Sequence, residues 1–363
     1  MKQTMRGVIA LLAGAGSCGA IAQGNVTMYG LLDTGLAYVT NVNPNGGTLV
    51  KMPSLTGSLP SRIGVRGTEA LDGGLSAMFT LEAGLTMDTG GMSQGNRLFG
   101  RQASVGLKGD FGAVTLGRQI NMTYISNLKS DVMGPNLFSI GSIDPYLPNA
   151  RSDNAIGYLG DFNGWIVGAT YSTGRDASSA GGPAATACAG EVAGNSRACR
   201  QVTGLLGYEV PAYGFNVSYD IMYGNTGAAN GLTGSNNSDK RVTANGYFKV
   251  GKGKIGAGII DRSTRAATGL TESDLYFIGL NYPVNRFTTL DTQVAKKDVK
   301  NSADDATLLV ARLTYHLSKR TALYGGVARM KNAAQSAVAL DAGGTVGTGK
   351  NQNGVMAGLR HAF

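Results

Sequence analysis

Apolar and polar residues take turns along much of this chain, and a period of two is what a strand with two different faces requires. In Phe215–Tyr223 every odd position is aromatic or branched apolar, while the even positions are mostly polar. The same alternation runs through Trp165–Ser172, Tyr276–Tyr282 and Leu309–Leu317. It also continues to the last residue, with Val355, Ala357, Leu359 and Phe363 on one side. A sheet whose final strand reaches the terminus has an edge that must be covered or closed. The expectation is a closed sheet, a barrel.

Short turn signals punctuate the alternating segments. They fall at Asp72-Gly73-Gly74, Gly109–Gly112, Asp161–Gly164, Pro211–Gly214, Gly251–Gly253, Pro283–Asn285 and Leu317–Arg320. Longer polar stretches lie between them, at 41–60, 120–150, 175–200, 225–240 and 331–352. Short turns at one end and long loops at the other are the asymmetry of an outer-membrane barrel. Seven short turns imply eight hairpins, hence sixteen antiparallel strands with both termini on the short-turn side. An even count lets the last strand pair with the first, around Val26 to Ala37.

Composition agrees. Glycine is 56 of 363 residues, well above the usual share of about 7% and without the three-residue period of collagen. The mean hydropathy of −0.03 is bland, as expected where lipid-facing and water-facing residues alternate. Residues 1–22 have the three parts of an export signal: Lys2 and Arg6, the apolar Val8–Ala15, and Ala20-Ile21-Ala22 before Gln23. The apolar part is about half of the ~20 residues a spanning helix needs. Cys18 raises lipoprotein processing, but Ala15 stands where leucine is expected. Removing the signal takes Lys2 and Arg6 and no acid, so the net charge falls from +9 to +7 for residues 23–363, read as one barrel domain. Cys188 and Cys199 then remain, in a Gly/Ala-rich stretch outside any clear strand. In an oxidising compartment they are expected to form one disulfide pinning a surface loop. A metal site would need a second pair of ligands.

Several segments, in order along residues 23–363, are similar to a known family. They include Asn25–Asp33, Ser61–Glu69, Arg101–Leu107, Gly117-Arg118-Gln119, Arg151–Ile156, Leu317–Thr321 and the closing Arg360-His361-Ala362-Phe363. Together they resemble the Gram-negative general diffusion porins, in their β-proteobacterial branch. The resemblance implies a sixteen-stranded transmembrane barrel, a homotrimer, contact with outer-membrane lipids and lipopolysaccharide, and a long loop infolded as a constriction. It also implies that Phe363 is part of an assembly signal.

The stretch between Gln119 and Arg151 is the longest without alternation, and such loops are usually functional or disordered. By resemblance it is the constriction loop, carrying Lys129, Asp131 and Asp144. The family sets basic residues on the barrel wall against it, at positions matched here by Arg62, Arg101 and Arg151, with Arg66 and Arg118 as further members. Alternation puts Arg62 opposite Ile63 and Val65, and Arg151 opposite Ile156 and Tyr158, so both are expected to face water. Arg101 shares parity with Val105 and Leu107, which points it away from the lumen unless a bulge or a trimer contact intervenes. The expected function is a water-filled channel for small hydrophilic solutes and ions that prefers anions.

Three rivals are weighed against it. An outer-membrane enzyme would need a nucleophile and base, yet the only histidines are His316 and His361 and no Gly-x-Ser-x-Gly elbow or metal-spaced His/Glu pair occurs. An adhesin or receptor without a channel, or a soluble secreted sandwich, is allowed by the same alternation, and extraction behaviour separates them: a heat-modifiable, detergent-resistant trimer marks a porin, and release by salt alone a soluble protein. A channel specific for one solute is not separated from a general pore by the sequence. No cofactor is expected, and the scattered basic charges show no nucleic-acid recognition motif.

Overall fold

The computed structural model describes residues 25–175 and 186–363; the expected signal, 1–22, lies outside them. Alternation is realised as hairpins. β1 (Asn25–Val39) is followed by a short β2 (Leu49–Lys51) that caps its upper end, and then by β3 (Arg62–Ala70) and β4 (Ser76–Gly84). Next come β5 (Gln102–Gly109), β6 (Gly112–Ile120), β7 (Arg151–Phe162), β8 (Trp165–Gly174), β9 (Gln201–Glu209) and β10 (Tyr213–Tyr223). The wall continues through β11 (Ser238–Val250), β12 (Gly253–Ala266), β13 (Gly269–Pro283), β14 (Thr288–Val299), β15 (Ala306–His316), β16 (Thr321–Asn332) and β17 (Gln352–Ala362). Without β2, sixteen strands form one antiparallel sheet, and β1 closes it by pairing with both β3 and β17. The closing register runs from Leu31 opposite Ala362 to Val39 opposite Gly354. Gly30 and Phe363 exchange backbone bonds at 3.0 and 3.1 Å beyond it.

All seven expected turns join adjacent strands at one end. At Asn163-Gly164 both residues take positive φ, 54° and 91°, which a two-residue hairpin with the sheet's twist requires. The other end carries the longer connections, with one exception: Ala267-Thr268 alone joins β12 to β13.

The two faces divide as the alternation foretells. Phe215, Val217 and Tyr219 are outward and about half exposed, while Asn216, Ser218 and Asp220 are buried inside. An apolar exterior over a polar interior suits lipid outside and water or polar loops within. Near the short turns the outward rings of Trp165, Tyr208, Tyr213, Phe215 and Phe248 form a chain of contacts, with Trp165 and Tyr208 centroids 5.2 Å apart. Amphipathic rings at that level suit a membrane interface. Cys188 and Cys199 are bonded, and the bridge packs with Met222, Ala228 and Leu232 between two neighbouring loops.

Deleting Phe363 removes both bonds to Gly30 and one outward ring. The expected outcome is a severalfold loss of heat-modifiable barrel on gels, while channels that do assemble conduct as the parent does. Normal yield would separate Phe363 from assembly.

Candidate functional site

Residues 121–150, loop 3, turn inward instead of rising from the rim. Asn121 starts the descent: its side chain caps a short helix, α1 (Met122–Asn127), by accepting from the Thr123 and Tyr124 amides. Polar side chains on α1 then meet polar side chains on the wall. Thr123 Oγ1 donates to Asp220 at 2.7 Å, and Ser126 and Ser218 hydroxyls lie 3.0 Å apart. Farther on, the Ser130 carbonyl reaches β12 where a side chain on Gly256 would collide with it, a Cβ there lying 1.9 Å from that oxygen. Irregular backbone is tolerated at this depth because it is enclosed by protein and faces a lumen.

The loop's acids are used to hold it. A second short helix, α2 (Ile140–Ile143), opens with a Ser139–Ser142 capping box and ends at Asp144. Asp144 receives a two-pronged bond from Arg241, at 2.8 and 3.1 Å. Arg241 also bonds Asp239 at 2.8 Å, and Arg262 bonds Asp239 at 2.9 Å and lies 3.8 Å from Asp144. Two arginines and two aspartates thus form a closed quartet, buried except for the partly exposed Arg262. These guanidiniums hold the Asp144 carboxyl well below the usual carboxylate range, against the opposing effect of burial. Tyr146 completes the clamp, with its ring between Arg175 and Arg241 at 4.4 and 4.3 Å. Its hydroxyl donates to Asp220 and accepts from Gln201 at 2.6 Å.

Asp131 behaves differently. It accepts from Gln293 at 2.8 Å and from the Met133 amide at 3.2 Å, with no guanidinium in direct contact. Burial therefore dominates, and its carboxyl is pushed up to about 6.

On the other side of the lumen, basic residues gather at the upper ends of β3, β5 and β7. Arg62 opens β3 and Arg151 opens β7, while Arg101 immediately precedes β5. Arg101 Nε bonds Glu82 at 2.6 Å, Arg62 Nε lies 3.7 Å from the same carboxylate, and Tyr29 donates to it at 2.9 Å. Arg151 Nε donates to the Arg101 carbonyl at 3.0 Å. Its Nη1 reaches Asn149, and its Nη2 is buried without a hydrogen-bond partner. Two guanidiniums, those of Arg62 and Arg101, share the single carboxylate of Glu82, and Arg151 adds a third positive charge beside them without touching it, a local balance of +2. A vestibule of about 640 Å³ among the loops opens above, lined in part by Ser54, Pro60, Gln94, Asn136, Asn149 and Asp341.

The sequence profile described as Gram-negative porin matches residues 7–335. The chain belongs to that family. Outer membrane porin protein 32 of Delftia acidovorans is 30% identical over 383 residues, covering 99% of both chains. A Bordetella pertussis outer membrane porin protein is 29% identical, covering 92% of this chain and 95% of its own. Among solved structures, an anion-selective porin from Comamonas acidovorans superposes with a TM-score of 0.72 at 26% identity, over 94% of this chain and all of the other. A trimer form of Vibrio cholerae OmpT superposes with a TM-score of 0.64 at 16% identity and shows the shared fold. This porin is therefore an outer-membrane channel rather than an enzyme.

Within the porin, the residues expected at the constriction fall into separate groups. Arg62, Arg101 and Arg151 come together around Glu82. Arg101 joins them despite its parity because β5 begins one residue later, so the strict in-out order does not reach it. Arg66 faces inward four residues below Arg62, over the Tyr29 ring at 5.2 Å. Arg118 leaves the group: it pairs with Ala103, on the same side as the outward Leu116 and Val105, and its guanidinium is engaged by Asp153 and the Gly100 carbonyl. Asp131 and Asp144 do not face the arginines across open water, because the opposite wall takes them up. Lys129 sits lower, paired with Glu209. Glu82, Tyr146, Asp239, Arg241 and Arg262 were not among the expected residues.

Two outcomes follow from the clamp. Asp144→Ala leaves Arg241 and Arg262 sharing one carboxylate, and opening a buried ion network costs about 3 kcal/mol. Single-channel records should show flicker and loop 3 should become protease-sensitive, with the barrel still heat-modifiable. The second concerns acid. Asp131 titrates at about 6 when the loop is docked and near 3.9 when released, so docking takes up a proton and strengthens as the pH falls from 7 to 5. Asp131→Asn should abolish that dependence in the same flicker measurement.

Proposed function

We propose that this porin passes small hydrophilic solutes and prefers anions, and that Arg62, Arg101 and Arg151 around Glu82 are its selectivity element. The carrying observation is the unequal balance of charge across the lumen. The acids of loop 3 are occupied by protein partners, Asp144 by Arg241 and Asp131 by Gln293 and the Met133 amide. The opposite group sets three arginines against one carboxylate, which Arg62 and Arg101 contact. Arg62, whose side chain keeps 27% of its surface accessible, is the direct contact, and Arg101 and Arg151 add to the potential from behind. Side-chain charges at a constriction bias which ions enter. The anion-selective Comamonas porin supports the same preference.

The active form in this reading is a homotrimer exported with cleavage after Ala22. The outward Arg329 and Lys331, at the loop end of β16 above an apolar band, would meet lipopolysaccharide phosphates.

Reversal potentials in a KCl gradient test the reading: chloride should be favoured. Arg62→Glu changes two charges at roughly 8 Å from a passing ion, about 1 kcal/mol in water, or about fivefold in the permeability ratio. A cation-selective parent channel would overturn the proposal.

A further inference from the structure

Below the arginine group, near the short-turn end, which in an outer-membrane barrel faces the periplasm, a second basic cluster lines a cavity of about 390 Å³. Its walls are Lys129 from loop 3, Glu209 at the end of β9, Val210 and Pro211 from the β9–β10 turn, Tyr247 and Lys249 from β11, and Lys254 from β12. Tyr247 is buried, with its hydroxyl donating to the Val210 carbonyl at 3.0 Å. The Lys129 and Lys254 ammonium groups stand over its ring at 6.0 and 5.8 Å. Lys254 Nζ also donates to the Lys129 carbonyl at 2.7 Å, so the lowest point of loop 3 rests on this cluster.

The charges are poorly matched. Lys249 and Lys254 are directly opposite across the β11–β12 ladder, a pairing of like charges that destabilises a sheet. Among the described residues, Glu209 is the one carboxylate in ion-pair contact with the three lysines, and it is taken by Lys129. Asp161 acts on Lys129, and Asp131 and Asp291 on Lys254, only through space. Ammonium groups act as mobile point charges and suit phosphate-like oxyanions. A multiply charged anion between Lys249 and Lys254 would relieve their repulsion and use their remaining donors.

We propose that this cavity is a binding station for a small multivalent oxyanion at the periplasmic mouth, separate from the arginine group. It rests on the channel reading above but not on the selectivity element assigned there. A diffusing polyanion would meet it from the periplasmic side before reaching loop 3, giving a channel that selects by charge at mid-depth and retains polyvalent anions at its exit.

The test uses oriented single channels of the full-length porin with inorganic pyrophosphate added to one side at a time, against constant KCl. Current block is expected at lower pyrophosphate concentration from the periplasmic side than from the loop side. Lys249→Gln, which leaves the Lys254–loop 3 contact intact, should raise the half-blocking periplasmic concentration about fivefold, the effect of one partly exposed charge pair. Lys249→Gln with Lys254→Gln should remove the sidedness while the KCl reversal potential keeps its sign. Equal block from both sides, or periplasmic block unaltered in both variants, would overturn the station. A cation-selective parent with sided pyrophosphate block would overturn the arginine assignment and leave the station standing.

Discussion

Lipid offers no hydrogen bonds, so a backbone that crosses it must pair every amide and carbonyl within the protein. The seam between β1 and β17 meets that demand for the whole sheet. β1 binds β17 along its upper part and β3 along its lower part, and Phe363 extends the seam through Gly30. With no free edge, side chains are released from holding the sheet together and can be divided by face. The apolar exterior and polar interior are consequences of that closure, as is the space in which loop 3 can lie.

Inside, the lumen is shaped by how charges are spent. Taking ions out of water is costly unless they are paired and hydrogen-bonded. The wall from β9 to β15 therefore answers loop 3 with complementary groups: Asp220 for Thr123 and Tyr146, Arg241 for Asp144, and Gln293 for Asp131. What remains is an asymmetric pore. One wall is neutralised by its own loop, and the other carries arginines around one glutamate.

Strand number and turn positions were legible in the sequence because they depend on local signals, period-two alternation and glycine-rich turns; the interruption at 121–150 marked a long loop, and its inward course was implied by the family resemblance. The expected wall arginines were partly legible, since parity assigns a face wherever the ladder is regular. It misplaced Arg101, which precedes the first ladder residue of β5. It was not applied to Arg118, which parity with Leu116 would have turned outward. The quartet of Asp144, Asp239, Arg241 and Arg262 left no local trace, because Asp144 and Arg241 are 97 residues apart and meet only once the barrel closes. Asp239, Arg241 and Arg262 do stand in inward parity on β11 and β12, and three polar residues in inward register could have flagged a docking wall. The expectation that loop acids confront the arginines failed for the same reason: each carboxylate takes the donor its own side of the lumen supplies, Arg241 for Asp144 and Gln293 for Asp131.

Strand lengths divide the wall into a low side and a high side. β5 has 8 residues and β13 has 15, which at about 3.3 Å per residue is a difference of roughly 20 Å in strand length. Arg62 and Arg101 stand at the upper ends of the short β3 and β5, and Arg151 at the upper end of the longer β7 close by, so the low side of the wall brings them together beside loop 3. In a conducting pore the narrowest ring carries most of the electrical resistance. The voltage across the membrane then falls mainly over a few ångströms beside these side chains, and an ion meets the strongest field and the fixed charge at the same point.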